Sequence, residues 1–463
     1  MKKLLVLLGC IPALSLPSQA QLQLPQVLQQ PIENALLRNK EIANKQIELE
    51  KSALERKSVK SKAIPRLNAS AGYSYFDNHV TIDLPGYKLP ITGAELFDGK
   101  TKVDNHGNLA HAGLIATGVL YAGGQIKNGS KALQEKITGD SLLVETDKDN
   151  VIVDVVTSFD KLKFIDASEK LIAESNARLL KEEERVNKAI VNGLAIPFDR
   201  DKIKLARLEL ESKKTQLEEN KELLFKKLNY LTGISRDELE KITYELSPVV
   251  LPDSLNVDGK QELDALKSYK RASEWLLKKE RGTYLPQVIA FGGVSYSSLF
   301  NGASAFTLPN LPPNMQQPNL KLNQFTIAPN WIAGVGLRWE IFGGNERKHK
   351  VQEAALSIQQ LNNKLEDSKD KLNLLLSQKF AGYQTQWKQI SLAEQKEVVA
   401  KNNLTLSEKQ YQQGLISVTQ RLEAENDYVK AGQERTEALI NQRQAAIEAL
   451  AVTGRLSEKI QYQ

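Results

Sequence analysis

In the stretch GLISVTQRLEAEND, Gln420 and Glu423 stand three residues apart and Glu425 follows two further on. On a helix that spacing puts the Gln420 amide and the Glu423 carboxylate on one face and turns Glu425 away. A carboxylate does acid–base work only beside a partner base, a nucleophile or a metal. No such companion is in view. The four histidines, His79, His106, His111 and His349, lack metal-ligand spacing to a cysteine or carboxylate. There is no Gly-x-Gly-x-x-Gly fingerprint and no Walker loop. KEEERV and LEENKE read as solvated helix faces, and NERKHK lacks the interleaved aromatics of a nucleic-acid surface. These residues point away from an enzyme, from a bound metal or cofactor, and from nucleic acid.

Composition narrows the class further. The chain has 463 residues, is 25% charged and 41% hydrophobic, and carries a formal charge of +6. That excludes a disordered chain and a bundle of membrane helices, and the charge is too diffuse to imply nucleic acid. The N-terminus MKKLLVLLGCIPALSLPSQAQ joins Lys2 and Lys3 to an apolar run and Ser18-Gln19-Ala20. This is the plan of a secretory signal over 1–20, cleaved after Ala20, and losing Lys2 and Lys3 takes the charge from +6 to +4. LLGC also has the form of a lipoprotein box with Cys10 as lipid carrier, although the apolar run before it is short. Cys10 is the only cysteine, so cleavage after Ala20 leaves no thiol and no disulfide framework. No later segment has about 18 consecutive apolar residues. A mature chain that meets a membrane does so as a closed β-barrel or at its surface.

The elements that hold Gln420 and Glu423 occur twice. Pro65 and Pro286, Gly193 and Gly414, and Gly233 and Gly454 are all 221 residues apart. The glycine pairs Gly123-Gly124 and Gly343-Gly344 are one residue off that offset. A shared offset of this length is a duplication in which each copy is half of one architecture. The expected division is a first repeat over 21–246, a linker over 247–260 and a second repeat over 261–463.

Each copy opens with a polar helical pattern, over 31–62 and about 261–283, that a proline stops. Paired extended runs follow at 67–76 and 112–121, then at 287–300 and 325–342. Their lengths suit membrane strands of about 9 to 11 residues, prolonged beyond the bilayer. Tyr73, Tyr75, Tyr121, Tyr296, Trp331 and Trp339 fit interfacial aromatics or an ordinary soluble sheet equally. The Gly-, Pro- and Asn-rich segments between the runs read as exposed loops. After each glycine pair comes a polar run without proline, 125–192 and 345–413, with apolar residues at helical spacing. At about 1.5 Å per residue, either run spans roughly 100 Å as a helix. Gly193 and Gly414 end these runs, and a second helix follows each, at 198–230 and 418–450. The reading is two long helical hairpins with those glycines at their tips.

In this order and duplication the chain resembles the TolC family of outer-membrane efflux proteins. The resemblance rests on GVLYAGGQIKNG, VNGLAIPFDRDKIKLARLELES, GLRWEIFGGNERKHKVQEA and YQQGLISVTQRLEAENDYVKA, among others. It covers nearly all of the expected mature chain. Two departures stand out. The family often has a proline shortly before the glycine pair, where this chain has Val119-Leu120-Tyr121 and Glu340-Ile341-Phe342. The segment linking the two copies is also short and polar.

The resemblance implies an α+β fold: an outer-membrane β-barrel with four strands per protomer and twelve per trimer, continued by a long α-helical coiled-coil tunnel in the periplasm. It implies a homotrimer in outer-membrane lipid, acting as the passive exit duct of a tripartite efflux or type I secretion system. The partners would be a periplasmic adaptor and an inner-membrane efflux pump or ABC transporter. Gly123, Gly124, Gly343 and Gly344 would mark the strand–helix junctions. Val191, Asn192, Gly193, Leu194 and Ala195, with Gln413, Gly414, Leu415, Ile416 and Ser417, would form adaptor-docking tips. Leu194 and Leu415 either enter adaptor pockets or pack within the closed tip. Glu423 matches an inward-facing acid of the family's gate, and Gln420 an often acidic position. Three copies of Glu423 around an axis would favour cations and give divalent ions a blocking site. Alternatively, Glu423 is an ordinary exposed residue paired with a nearby base. A structural or adhesive coiled-coil protein is the other reading of the whole, and it leaves the duplicated strand pairs without a purpose.

Overall fold

The computed structural model describes residues 22–462 apart from 89, 92, 94, 308–313 and 315. The expected signal segment and Cys10 lie outside the described residues. Elements follow in the order β1 (Leu22–Leu24), α1 (Gln29–Arg38), α2 (Lys40–Ser61), β2 (Arg66–Lys88), β3 (Glu95–Ala122), α3 (Gln125–Val191), α4 (Pro197–Thr232), α5 (Arg236–Leu239) and α6 (Gln261–Arg281). Then come β4 (Gln287–Thr307), β5 (Asn319–Arg338), α7 (Glu346–Gln412), α8 (Val418–Thr453), α9 (Leu456–Lys459) and β6 (Ile460–Tyr462). The starts of β2 and β4, both ends of α3 and α7, and both ends of α4 and α8 all differ by the same 221 residues. Among the described residues no helix is long and apolar enough to cross a membrane.

The chain forms two compact units. One comprises Ala53–Gln134 and Ala272–Ile358 and is built on an antiparallel sheet in the order β2-β3-β4-β5. Register assigns its two faces. Leu67, Ala69, Ala71 and Tyr73 pair with Ala116, Leu114, Ala112 and Ala110. These continue onto Gly292, Val294, Tyr296 and Ser298, and then onto Ala333 and Trp331. This face is apolar yet uncovered, with Trp331 73% exposed. The opposite face carries Arg66, Asn68, Ser70, His111, Ser295 and Asn330. Across both faces, 67–76, 109–122, 287–300 and 325–337 contain no Asp, Glu, Lys or Arg. A charge-free band of this length, apolar on one side and mixed on the other, is the pattern of a membrane strand with lipid and lumen faces.

The strands run well into the segments expected as loops. β2 and β3 stay paired from Arg66↔Thr117 to Lys88↔Glu95, and β4 and β5 from Gln287↔Arg338 to Ala305↔Asn319. Composition misled here because a ladder needs backbone partners, not apolar side chains, where both faces meet water. The alternation in HVTID opposite TKVD supports it, with Val80 across from Val103 and Ile82 across from Thr101. Polar side chains reinforce the extension: His79 Nδ1 lies 2.7 Å from Asp104 Oδ1, and Ser304 Oγ donates to Asn105 Oδ1 at 2.7 Å.

The strand–helix junctions explain the misfit of the glycine pairs. Left-handed backbone occurs at Gly123 and Gly124 (φ 59° and 76°), and in the second copy at Gly344 and Asn345 (φ 62° and 68°). The conformations are therefore 221 residues apart although the glycine letters are not. Asn is among the few side-chain-bearing residues that visit this region readily. Gly123 has a second constraint. A Cβ there would sit 2.1 Å from the Gly282 carbonyl oxygen, whereas at Gly344 it would meet nothing within 4 Å.

Among the described residues, the other unit comprises 22–52, 135–271 and 359–462. In α3, Ile165, Ile172, Leu179 and Val186 recur every seven residues and are buried; so are Ser168, Ser175 and Glu182. Two interleaved seven-residue rows are the seam of a left-handed coiled coil, and serine keeps one row narrow enough for close approach. In α8 the small residue at the seam is Gly432, where a Cβ would meet Leu171 Cδ1 at 2.8 Å. The main core joins Val155, Val156 and Phe159 of α3 to Leu228 of α4 and Ala446, Ala449 and Leu450 of α8. A two-stranded parallel sheet pairs β1 with β6, Leu22 opposite Ile460.

The junction geometry separates two substitutions. Gly344→Ala should cost about 1–2 kcal/mol, the left-handed backbone penalty alone. Gly123→Ala adds a backbone clash and should abolish the folded sheet. Thermal unfolding of purified variants, followed by the strand signal in circular dichroism, checks the difference.

Candidate functional site

The ends of the two helical hairpins share one apolar cluster in the helical unit. Val186 of α3, Ile203 and Leu210 of α4, and Val418 and Val429 of α8 are buried together, with Ile190, Ala195, Tyr411 and Leu422 packed against them. Each turn closes in the same way. Gly193 (φ 73°) and Gly414 (φ 72°) take the left-handed conformation. Leu194 N–H then donates to Ala189 O at 2.8 Å, and Leu415 N–H to Gln410 O at 2.9 Å. These bonds, spanning six residues, satisfy carbonyls that the helix ends would otherwise leave open.

The turn residues divide by exposure. Leu194 and Leu415 are 82% and 68% exposed. Val191, the last residue of α3, is also exposed, as are Asn192, Gly193, Gln413, Gly414 and Ser417, while Ala195 and Ile416 are half-buried. The first tip is the more apolar of the two, because Ile196 and Phe198 are exposed beside Val191 and Leu194.

The helices that leave the tips start differently. Pro197 opens α4, where its missing N–H has no partner to lose. Ser417 caps α8: Gln420 N–H donates to Ser417 Oγ at 3.3 Å, and Ser417 N–H to Gln420 Oε1 at 3.0 Å. The Gln420 amide oxygen is thus engaged in a capping box. The signal for it was present in the S-x-x-Q spacing of SVTQ. Glu423 is exposed and has no hydrogen bond or ion pair among the described residues. It lines an open cavity of about 230 Å³ between α3, α4 and α8, together with Lys202, Glu209, Lys213 and Glu425. Tyr411, at the end of α7, has its phenol pushed up to about 12 by burial, then by the Asp199 and Glu182 carboxylates.

Glu425 is a buried acid of this region, its side chain 4% exposed. Ser175 Oγ donates to it at 2.6 Å, and Arg178 does so through Nε at 3.1 Å and Nη2 at 2.8 Å. Arg421, 1% exposed, places Nη1 2.9 Å from its second oxygen and extends Nη2 to Glu408 at 3.4 Å. One carboxylate therefore joins α3 to α8, and its arginine partner reaches α7. The i, i+4 spacing of Arg421 and Glu425 was visible in the sequence. Ser175 and Arg178 were not, since they lie about 250 residues away and nothing local indicates the pairing.

Removing one partner of a buried ion pair leaves the other charge uncompensated and costs about 3–5 kcal/mol. Glu425→Gln should lower the stability of the helical unit on that scale. Glu423→Gln removes an exposed, unpaired charge and should change stability by less than about 0.5 kcal/mol. Denaturant unfolding followed by helix signal compares them.

Residues 261–455 match the family model described as Outer membrane efflux protein. No curated protein sequence matches the chain. Among solved structures, a membrane protein from Pseudomonas aeruginosa is similar at 13% identity and a TM-score of 0.71, over 92% of this chain and 93% of that one. CusC, whose crystal structures concern folding and transmembrane channel formation, is similar at 15% identity and a TM-score of 0.71, over 93% and 92%. The outer membrane protein VceC from Vibrio cholerae is similar at 14% identity and a TM-score of 0.67, over 93% and 96%. The family match and the shared fold agree with the registers and hairpins above: the chain carries an outer membrane efflux protein domain over residues 261–455 and, along nearly its whole length, the TolC-type fold of outer-membrane channels.

Proposed function

We propose that the chain is the protomer of a trimeric outer-membrane channel, the passive exit duct of a tripartite efflux or type I secretion system. One observation carries this reading: a four-stranded sheet with a charge-free band and two open edges, β2 and β5. Four strands cannot enclose a lumen, and lipid offers unpaired backbone groups no partner. Three copies supply twelve strands and remove every edge. The helices carry a matching signal. Phe198, Leu205, Leu208, Leu223 and Tyr230 of α4, and Leu374, Val398, Val399 and Leu406 of α7, are exposed in the protomer. Neighbouring copies would cover these stripes.

In this assembly, 21–246 and 261–463 act as two repeats, joined by the linker 247–260. Each supplies two strands and one hairpin, and Gly123-Gly124 and Gly343-Gly344 lie where strand passes to helix. The exposed tips, led by Leu194 and Leu415, dock on a periplasmic adaptor. An inner-membrane pump or ABC transporter supplies the energy, and the channel itself catalyses nothing. Glu423 faces the axis near the tips, where three copies gather carboxylates that favour cations. Gln420, held in its capping box, adds no charge. A structural stalk would also bury the helical stripes, but it has no use for the charge-free band.

Reconstituted protein should give discrete single-channel conductance in planar bilayers. Cation selectivity and divalent-ion block should weaken in Glu423→Gln channels at matched trimer abundance. Conductance with unchanged selectivity would remove Glu423 from the gate and leave the duct standing. Absence of conductance from correctly inserted trimers would refute the duct.

A further inference from the structure

The charge of the chain is unevenly placed. In the sheet-containing unit, the stretches at the strand bases are 53–66, 123–134, 272–286 and 338–358. They hold 14 basic and 6 acidic residues, a net +8 against +6 for the whole chain. Beyond the band in the other direction, the sequence segments 77–108 and 301–324 hold 4 basic and 5 acidic residues. The charge-free band thus has a strongly cationic rim on the helix side and a nearly neutral one on the other.

Within the cationic rim the side chains make a specific arrangement. Lys131 Nζ lies 4.0 Å and Lys278 Nζ 4.1 Å from the ring centroid of Trp275. Neither ammonium has a carboxylate partner among the described residues. The indole's π-system attracts both cations but neutralises neither, so each ammonium remains open to an anion. On a neighbouring face of α6, an open groove of about 400 Å³ lies between α2, α3 and α6. Val59, Ile126, Leu133 and Leu276 line it, and Glu55, Lys62 and Lys279, the last paired with Glu280 at 2.8 Å, border it. Nearer the strand starts, the indole N–H of Trp339 donates to Tyr284 O at 3.1 Å. Arg347 covers the Tyr284 ring at 5.2 Å. Aromatic groups with apolar bodies and polar tips beside unpaired cations match the headgroup level of a bilayer.

We propose that this rim binds anionic glycerophospholipid of the leaflet on the helix side. Phosphate is held by Lys131 and Lys278 at Trp275, and an acyl chain lies in the groove between α2, α3 and α6. The proposal rests on the membrane reading above and adds to it a preferred lipid class and the residues that select it. Charge complementarity decides the class, because a zwitterionic headgroup would bring its own cation to a surface already at +8.

Brominated lipids, which quench indole fluorescence on contact, provide the test. Full-length protein with Trp331, Trp339 and Trp387 replaced by Phe retains Trp275 as its only indole. It is reconstituted in phosphatidylcholine vesicles containing brominated phosphatidylglycerol or, in parallel, brominated phosphatidylcholine. Half-maximal quenching should need about thirtyfold less of the anionic lipid, about fivefold for each of the two lysines. High salt should erase the difference, and so should Lys131→Gln with Lys278→Gln, with conductance unchanged. Equal quenching by the two lipids in conducting channels would overturn the proposal and leave the channel reading intact. A protein that neither inserts nor conducts would overturn both.

Discussion

The backbone groups along the free edges of β2 and β5 set the terms for this molecule. Each N–H or C=O left without a partner in hydrocarbon costs several kcal/mol. The charge-free band places a row of such groups at both edges of a sheet only four strands wide. With β3 and β4 on the inner sides of β2 and β5, one chain could pair these edges only with each other, closing a barrel of four strands too narrow for its own side chains. Association is then a condition of stability in a membrane. In the proposed channel the number of copies would follow from how many strands enclose a lumen.

The helical unit carries a weaker form of the same demand. Burial in α3 is organised in seven-residue rows, so α3 is satisfied largely within its own chain. α7 is different: Leu376 and Tyr383 are buried on one side, while Leu374, Val398 and Leu406 stay exposed. Water tolerates exposed leucine at a cost of about 1–3 kcal/mol per side chain, far less than lipid demands for open backbone. In the proposed channel the sheet would enforce association, and the helices would add to it. Near the tips the Glu425 network shows how the hairpins are held in register. A carboxylate bound by one hydroxyl and two guanidinium groups tolerates little displacement.

Much of this was legible in the sequence because duplication leaves a record that needs no contact information. Pro65 and Pro286 marked the strand starts, and Gly193 and Gly414 the tips, since proline and left-handed glycine act locally. Strand length was not legible. The HVTID and TKVD segments pair through backbone groups whose partners lie across a hairpin, and their polar composition matches a loop equally well. Gly282 escaped notice for a related reason: only the approach of the Gly123 backbone makes it necessary. At the tips, the positions of Gln420 and Glu423 were readable, and so was the capping box in SVTQ. The bonds from Ser175 and Arg178 to Glu425 depend on a packing register between α3 and α8, which no local pattern encodes.

Disulfide scanning between the edge strands tests the closed assembly most directly. With Cys10 replaced by Ser, single cysteines are placed along 67–75 of β2 and paired with single cysteines along 331–337 of β5. Oxidation in membranes should link β5 of one copy to β2 of the next at one register. Covalent products should stop at three chains. Unlinked single chains at every pairing, or a ladder continuing beyond three, would contradict a closed twelve-stranded barrel.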